Sequence, residues 1–280
     1  MTDARALYGL ADRPIFIGGL MKSGTSLLRV LLGQHPDVFA SFETHWYEPM
    51  IREGWADQYS QRIRYLRQFF ELSDSDYAAL IQRKRSEPGR EFIDVVFEFC
   101  AMRAGKPRWA EKTPGNIGHY ALICRIWPTA KVIHVTREYR DCFASWKTRR
   151  GDTLDAFLTS VKSTYAEIGG LLGKNTESYL EIDHNDLVRT PEQTMRRVLS
   201  FAELGWSPSC ASLDLAATSE ERTKVIEVVG KDSHTNVSLS RPIFTDAIGQ
   251  WHTMLREDEA RRIERELAPF YAIFGERWGR

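Results

Sequence analysis

The 280-residue chain is long enough for one large domain or two small ones, with a sizeable buried core. Its 42% hydrophobic and 27% charged residues are those of a globular protein and exclude disorder, collagen and coiled coil. Lys+Arg and Asp+Glu both number 38, a formal net charge of zero, which argues against binding through duplex phosphates and leaves a small anionic ligand open.

The opening M-T-D-A-R-A-L-Y-G-L lacks the charged-then-apolar layout of a secretory leader. No uninterrupted apolar run approaches the ~20 residues needed to cross a bilayer. Cys100, Cys124, Cys142 and Cys210 show no C-x-x-C pair and no metal-like spacing, so they read as reduced core thiols. These features predict a soluble, cytoplasmic protein with no membrane span and no metal site.

Pro14 to Gly18, P-I-F-I-G, has the short apolar pattern of a buried parallel strand. The stretch G-G-L-M-K-S-G-T-S follows at once, and L-L-R-V-L-L then reads as a helix closed by Gly33 and Pro36. Val38 to Phe42 is a second strand, ending in the polar and aromatic cluster E-T-H-W-Y-E at 43–48. From about 55 to 105, apolar residues recur at helical spacing among many arginines, which predicts a helical insertion beside the sheet. Trp109 to Lys112 is a short strand, followed by T-P-G-N and a helix from about 117 to 127.

Lys131 to Thr136, K-V-I-H-V-T, is the clearest core strand. A helical stretch covers 139–173 with a break near Gly151-Asp152, Tyr179 to Ile182 is a strand, and Pro191 to Leu204 a helix. Residues 230–250, rich in Ser, Thr, Gly and Pro, predict a long loop, and Glu257 to Phe274 a closing helix. Strands alternating with helices predict a single α/β domain over 1–280, a three-layer sandwich around a central parallel sheet.

The loop at 18–26 invites a nucleotide-binding reading, because Gly19 and Gly24 have G-x-x-x-x-G spacing. A Walker A loop would continue with Lys and then Ser or Thr, whereas Thr25 and Ser26 follow Gly24 and the lysine sits inside the loop as Lys22. No strand ends in the Asp pair expected of a Walker B metal site; the best one ends Thr136-Arg137. Anion binding survives this comparison. Backbone N–H groups from Ser23 to Ser26, the positive end of the following helix and the hydroxyls there suit a terminal phosphate, with Lys22 beside it.

The run K-S-G-T-S-L-L-R-V-L-L-x-x-H-P resembles the 5′-phosphosulfate loop of sulfotransferases that use 3′-phosphoadenosine 5′-phosphosulfate (PAPS), including the tyrosylprotein and glycosaminoglycan branches and their bacterial relatives. The resemblance implies a P-loop-like fold, PAPS as sulfuryl donor and no metal. It assigns Lys22, Ser23, Gly24, Thr25 and Ser26 to the donor. The strand-R-x-x-R-D-x-x-x-S pattern is similar to the family's 3′-phosphate motif, which carries that role onto Arg137 and Ser145; Arg140 and Asp141 read equally as an ion pair opening the helix. I-G-Q-W at 248–251 is similar to the end of the family's 3′-phosphate loop, but Phe244, Thr245 and Asp246 stand where cytosolic members carry R-K-G, leaving Arg241 or Lys231 as substitutes.

Transfer to a hydroxyl needs a base, cations on the leaving oxygen and in-line positioning. Glu43 follows the second strand, at the end where a parallel sheet opens onto its ligand crevice. E-T-H-W-Y-E matches the E-x-H-x-x-[DE] of glycosaminoglycan sulfotransferases, which implies Glu43 as catalytic base and His45 as a donor or second proton-handling group. E-K-T-P at 111–114 matches the same branch and puts Lys112 near the transferred group with Lys22. Glu48 orients His45 or the substrate or is solvated, and Trp46 and Tyr47 line an acceptor pocket or pack in the core; the residues alone leave both open. The expected reaction is transfer to a hydroxyl of a sugar, phenol or other small-molecule or glycan acceptor, with no nucleic-acid partner. The competing classes are a P-loop kinase, which would turn over ATP with Mg²⁺, and a non-catalytic nucleotide-binding protein.

Overall fold

The computed structural model describes residues 13–41, 43–52, 61–150, 153–232, 234–274 and 278. The start of the chain, Phe42, the first residues of the predicted insertion and the break near Gly151-Asp152 lie outside them.

Five parallel strands form one sheet: β1 (Ile15–Gly19), β2 (Val38–Ser41), β3 (Arg108–Lys112), β4 (Lys131–Thr136) and β5 (Tyr179–Asp183). The order is β2-β3-β1-β4-β5, so β1 is central and the chain crosses it between β3 and β4. Such a reversal of strand order opens a crevice at the carboxyl ends of the strands, which is where an α/β sheet binds its ligand. The register aligns those ends, with Ile17 beside Lys112 and Gly19 beside Val135.

The period-2 alternation of β1 divides the core. Ile15 and Ile17 pack with Leu28, Leu31 and Leu32 of α1 (Thr25–Gly33) and with α8 (His184–Arg189) and α9 (Pro191–Phe201) on one face. Phe16 faces the other side, among Trp46, Trp109 and Trp127, with ring centroids 5.7, 5.6 and 4.8 Å away. That second face is covered by the predicted insertion, which consists of α2 (Gln61–Phe69), α3 (Asp74–Ser86) and α4 (Phe92–Arg103), and by α5 (Tyr120–Ile126), α6 (Tyr139–Arg150) and α7 (Leu154–Ile168). The three-layer sandwich is therefore present. Lys106 fixes α1 from behind: its ammonium donates to the carbonyls of Gly33, His35 and Val38 at 2.8, 2.9 and 2.8 Å, where helix carbonyls lack partners.

Four expectations are corrected. The segment after β3 opens as a 3₁₀ turn, Pro114–His119, before α5 begins. The helix from Pro191 stops at Phe201 rather than Leu204. Before the predicted loop at 230–250 comes α10 (Leu215–Val229), and within it lies α11 (His234–Leu239), whose Leu239 is buried at 8% exposure. The C-terminal helix is two, α12 (Glu257–Glu266) and α13 (Ala268–Phe274), because Pro269 has no N–H and its ring would collide with the carbonyl one turn earlier.

Candidate active site

β1 ends in a loop whose backbone is bent for close approach. Gly19, Lys22 and Gly24 have φ of 152°, 73° and 105°, and Gly24 is the residue that opens α1. No acidic side chain occupies the first turn of α1, so its positive end is uncompensated by a carboxylate. A Cβ on Gly24 would sit 2.6 Å from Cδ2 of His184. Gly24→Ala therefore combines left-handed strain with a clash, and a stability loss of about 1–3 kcal/mol is expected, with weakened anion binding. Urea unfolding with and without adenosine 3′,5′-bisphosphate checks both.

Arg137, at the end of β4, is 6% exposed and lies against this loop. Its guanidinium donates to the carbonyl of Lys22 at 2.9 Å and to that of Ala247 at 2.6 Å. The two predicted anchors are thus in direct contact, and Arg137 ties the loop to the C-terminal I-G-Q-W segment. Asp141 completes that tie: its carboxylate accepts the N–H of Gly249 at 2.9 Å and of Trp251 at 3.1 Å. Arg140 stacks over the Trp251 ring at 3.6 Å and pairs with Glu138 and Glu264. The R-x-x-R-D run therefore docks the chain's last third. Ser145 is buried in α6 and does not line the cleft beside the loop. Phe244, in place of R-K-G, does line it, and the Arg241 guanidinium lies 3.5 Å from the Phe244 ring centre; Lys231 is exposed and is not among the lining residues.

His184 was not singled out from sequence. It is buried against Gly24 and lines the cleft, and burial together with Arg137 pushes its imidazole down to about 3 from an ordinary 6.5. The folded protein then holds His184 neutral while the unfolded chain takes up a proton below pH 6.5. Stability is full above that pH and declines as pH falls toward 3, by at most ~1.4 kcal/mol per pH unit for this one group. His184→Gln should accordingly lose less stability between pH 7 and 4.5 than the natural chain, as read by urea midpoints.

Glu43 follows β2 and Lys112 ends β3, so parallel pairing of the strands sets their side chains together: Lys112 Nζ donates to Glu43 Oε1 at 2.6 Å. Lys112 is 5% and Glu43 43% exposed. Partial desolvation pushes the Glu43 carboxyl up, but Lys112 and His45 outweigh it and hold it well below the usual carboxylate range. His45 stands between two carboxylates, with Nε2 3.7 Å from Glu43 and Nδ1 3.6 Å from Glu48, and its backbone has φ of 52°. Trp46 is fully buried and donates to Asn116 Oδ1 at 2.9 Å, which decides for the core. Tyr47 is half-buried, its ring 3.9 Å from that of His119 and its hydroxyl 3.4 Å from His45 Nδ1.

Lys22, Gly24, Thr25, Ser26, Glu43 and Arg137 line a single cleft of about 250 Å³ at the switch point of the sheet. Ser23 lies beneath it, buried, and Lys112 and His45 reach it through Glu43. The residues fit a phosphorylated ligand: Ser23 Oγ and Arg137 Nε are buried beside the cleft with no hydrogen-bond partner, and the glycine loop leaves room that a Cβ would fill. Among the described residues, no cluster of His, Cys, Asp and Glu could hold a metal.

The fold is α/β with a glycine loop at the switch point of its sheet, and a carboxylate and a lysine stand beside that loop. The sequence matches the family model described as Sulfotransferase family over residues 14–208, and the chain belongs to that family of sulfate-transferring enzymes. It is 24% identical to protein-tyrosine sulfotransferase A of Caenorhabditis elegans, over 96% of this chain and 68% of the relative. It is 22% identical to protein-tyrosine sulfotransferase 2 of Gallus gallus, over 93% of this chain and 68% of that one. The fold is similar to the sulfotransferase domain from the curacin biosynthetic pathway, with a TM-score of 0.65 at 19% identity over 91% of this chain and 96% of that domain.

Proposed function

We propose that this chain transfers a sulfuryl group from PAPS to a hydroxyl, with Glu43 as base and a phenol of the tyrosine type as the favoured acceptor. One observation carries the reading: the anion loop with Lys22, the Arg137 tie and the Glu43 carboxylate all border one cleft. When bound, PAPS supplies an electrophilic sulfur joined to a 5′-phosphate oxygen that leaves. The N–H groups of Gly24, Thr25 and Ser26 and the hydroxyls beside them hold the 5′ end, the Ser23 N–H being spent on the Leu20 carbonyl at 3.1 Å, and Arg137 serves the 3′ end. Glu43 accepts the acceptor's hydroxyl proton as the acceptor oxygen bonds to sulfur. Lys22 and Lys112 offset the negative charge that collects on the departing phosphate oxygen.

The acceptor preference follows from Glu43. A carboxylate held below its usual range is a weak base, better matched to a phenol of pKa about 10 than to an alcohol near the 15.7 of water. The similarity to protein-tyrosine sulfotransferases points the same way. The E-x-H and E-K-T-P matches favour a sugar hydroxyl instead. A sulfate-transfer assay with PAPS and, in parallel, a tyrosine peptide, a simple phenol and a sugar separates these. A thermal shift with adenosine 3′,5′-bisphosphate against ATP plus Mg²⁺ tests the donor, because native-state binding raises apparent stability; preference for ATP would favour the kinase, and binding without transfer the non-catalytic reading.

We also place the protein in the cytoplasm, a reading supported by four cysteines that are all unpaired. No helix among the described residues is long and apolar enough to cross a membrane. Fractionation of the source cells tests the placement.

A further inference from the structure

Glu111, the residue before Lys112, is completely buried beneath the turn that carries Glu43. A carboxylate without water is tolerated only when hydrogen-bonded, and this one receives four bonds. Oε1 accepts the N–H of Thr44 at 3.0 Å, the Thr44 hydroxyl at 2.8 Å and the Thr113 hydroxyl at 2.6 Å. Oε2 accepts the amide of Asn116 at 2.6 Å. The partners pass the restraint on. Thr113 Oγ1 accepts the His45 N–H at 3.2 Å, and Asn116 Oδ1 accepts the Trp46 indole at 2.9 Å while its amide reaches the Ile17 carbonyl at 3.1 Å. Thr44, His45 and Trp46, the three residues after Glu43, are therefore all anchored to one carboxylate, which is anchored to β1.

We propose that Glu111 is the positioning residue for the catalytic base: it fixes the 44–46 turn against the end of β1 and so sets where Glu43 stands relative to the phosphate loop. This rests on the assignment of Glu43 given above. The left-handed backbone of His45 supports it, since a non-glycine residue stays at φ of 52° only when its surroundings hold it there. The chemistry requires a carboxylate rather than an amide. Every partner donates, the Thr44 N–H cannot reverse, and Asn116 cannot flip without losing both Ile17 and Trp46. A glutamine would aim its NH₂ at a donor whichever way it turned.

The test is Glu111→Gln, alone and combined with Glu43→Gln, with transfer kinetics and bisphosphate affinity measured on the same folded preparations. The expected single-variant result is a ~10- to 100-fold fall in kcat with the Kd of adenosine 3′,5′-bisphosphate unchanged within about twofold, because a small displacement of a reacting group is enough. In the Glu43→Gln background the same change should cost less than about twofold, since a residue acting through the base has nothing left to position. If Glu111→Gln does not fold, Thr113→Val, which removes the hydroxyl that links Glu111 Oε1 to the His45 N–H while leaving the other three bonds to Glu111 in place, must show the same pattern. An unchanged kcat, a loss that multiplies fully with that of Glu43→Gln, or a parallel loss of bisphosphate affinity overturns the proposal while the proposed function stands. A natural chain that neither binds the bisphosphate nor transfers from PAPS overturns both.

Discussion

Glu43→Gln is expected to lower kcat by about 10²–10⁴, the span general-base groups supply, without lowering affinity for adenosine 3′,5′-bisphosphate. The side chain is 43% exposed, so the fold does not lean on it. The change removes the negative charge 2.6 Å from Lys112, which is 5% exposed, and a buried cation without a counter-charge gains more from an arriving phosphate than one already paired. Bisphosphate affinity should therefore hold or rise, as isothermal titration would read. A variant that turns over within tenfold of the natural chain would remove Glu43 from the chemistry.

The pH dependence follows with a definite sign. Protonation disables the base, so the rate falls as pH drops through the Glu43 pKa. Lys112 and His45 keep that pKa below its ordinary value, so the natural enzyme should hold its rate through the mildly acidic range. Lys112→Ala removes the stronger of the two lowering influences and leaves partial desolvation, which raises the pKa, in place. Its acid limb should move to higher pH, whatever its maximal rate.

The second large effect is expected at Lys22, whose replacement by Ala should reduce kcat about 10²–10³-fold, equivalent to ~2.7–4 kcal/mol of lost stabilisation of developing charge. The backbone there has φ of 73°, and alanine keeps a Cβ, so the strain is the same in both chains and the comparison isolates the ammonium. Arginine should rescue poorly, because a planar fork does not replace a compact charge in a tight loop. Single-turnover assays separate this from weaker donor binding. A fall confined to KM would show that Lys22 only binds.

The elements legible in the sequence were those buried on both faces. β1 and β4 are runs of apolar and β-branched residues with no competing reading, and K-V-I-H-V-T was bounded to the residue. The short helix α11, H-T-N-V-S-L, was not legible, because its composition is that of a loop and among its described side chains only Leu239 is buried. Within the site, Lys22, Glu43 and Lys112 were readable because loop chemistry and strand ends announce them. His184 and Glu111 were not. His184 belongs to the cleft only because β5 pairs with β4 and brings its far end toward Gly24, a consequence of strand order that no local pattern encodes. Glu111 lies one position from Lys112, but its burial is decided by partners on the 43–46 turn.

The family match ends at residue 208, yet Ala247 and Gly249 hang from Arg137 and Asp141, and Phe244 lines the cleft. One wall of the cleft is thus supplied by the end of the chain and held by its middle. Loss of the Arg137 or Asp141 side chain would therefore free a wall of the cleft as well as a tether of the fold.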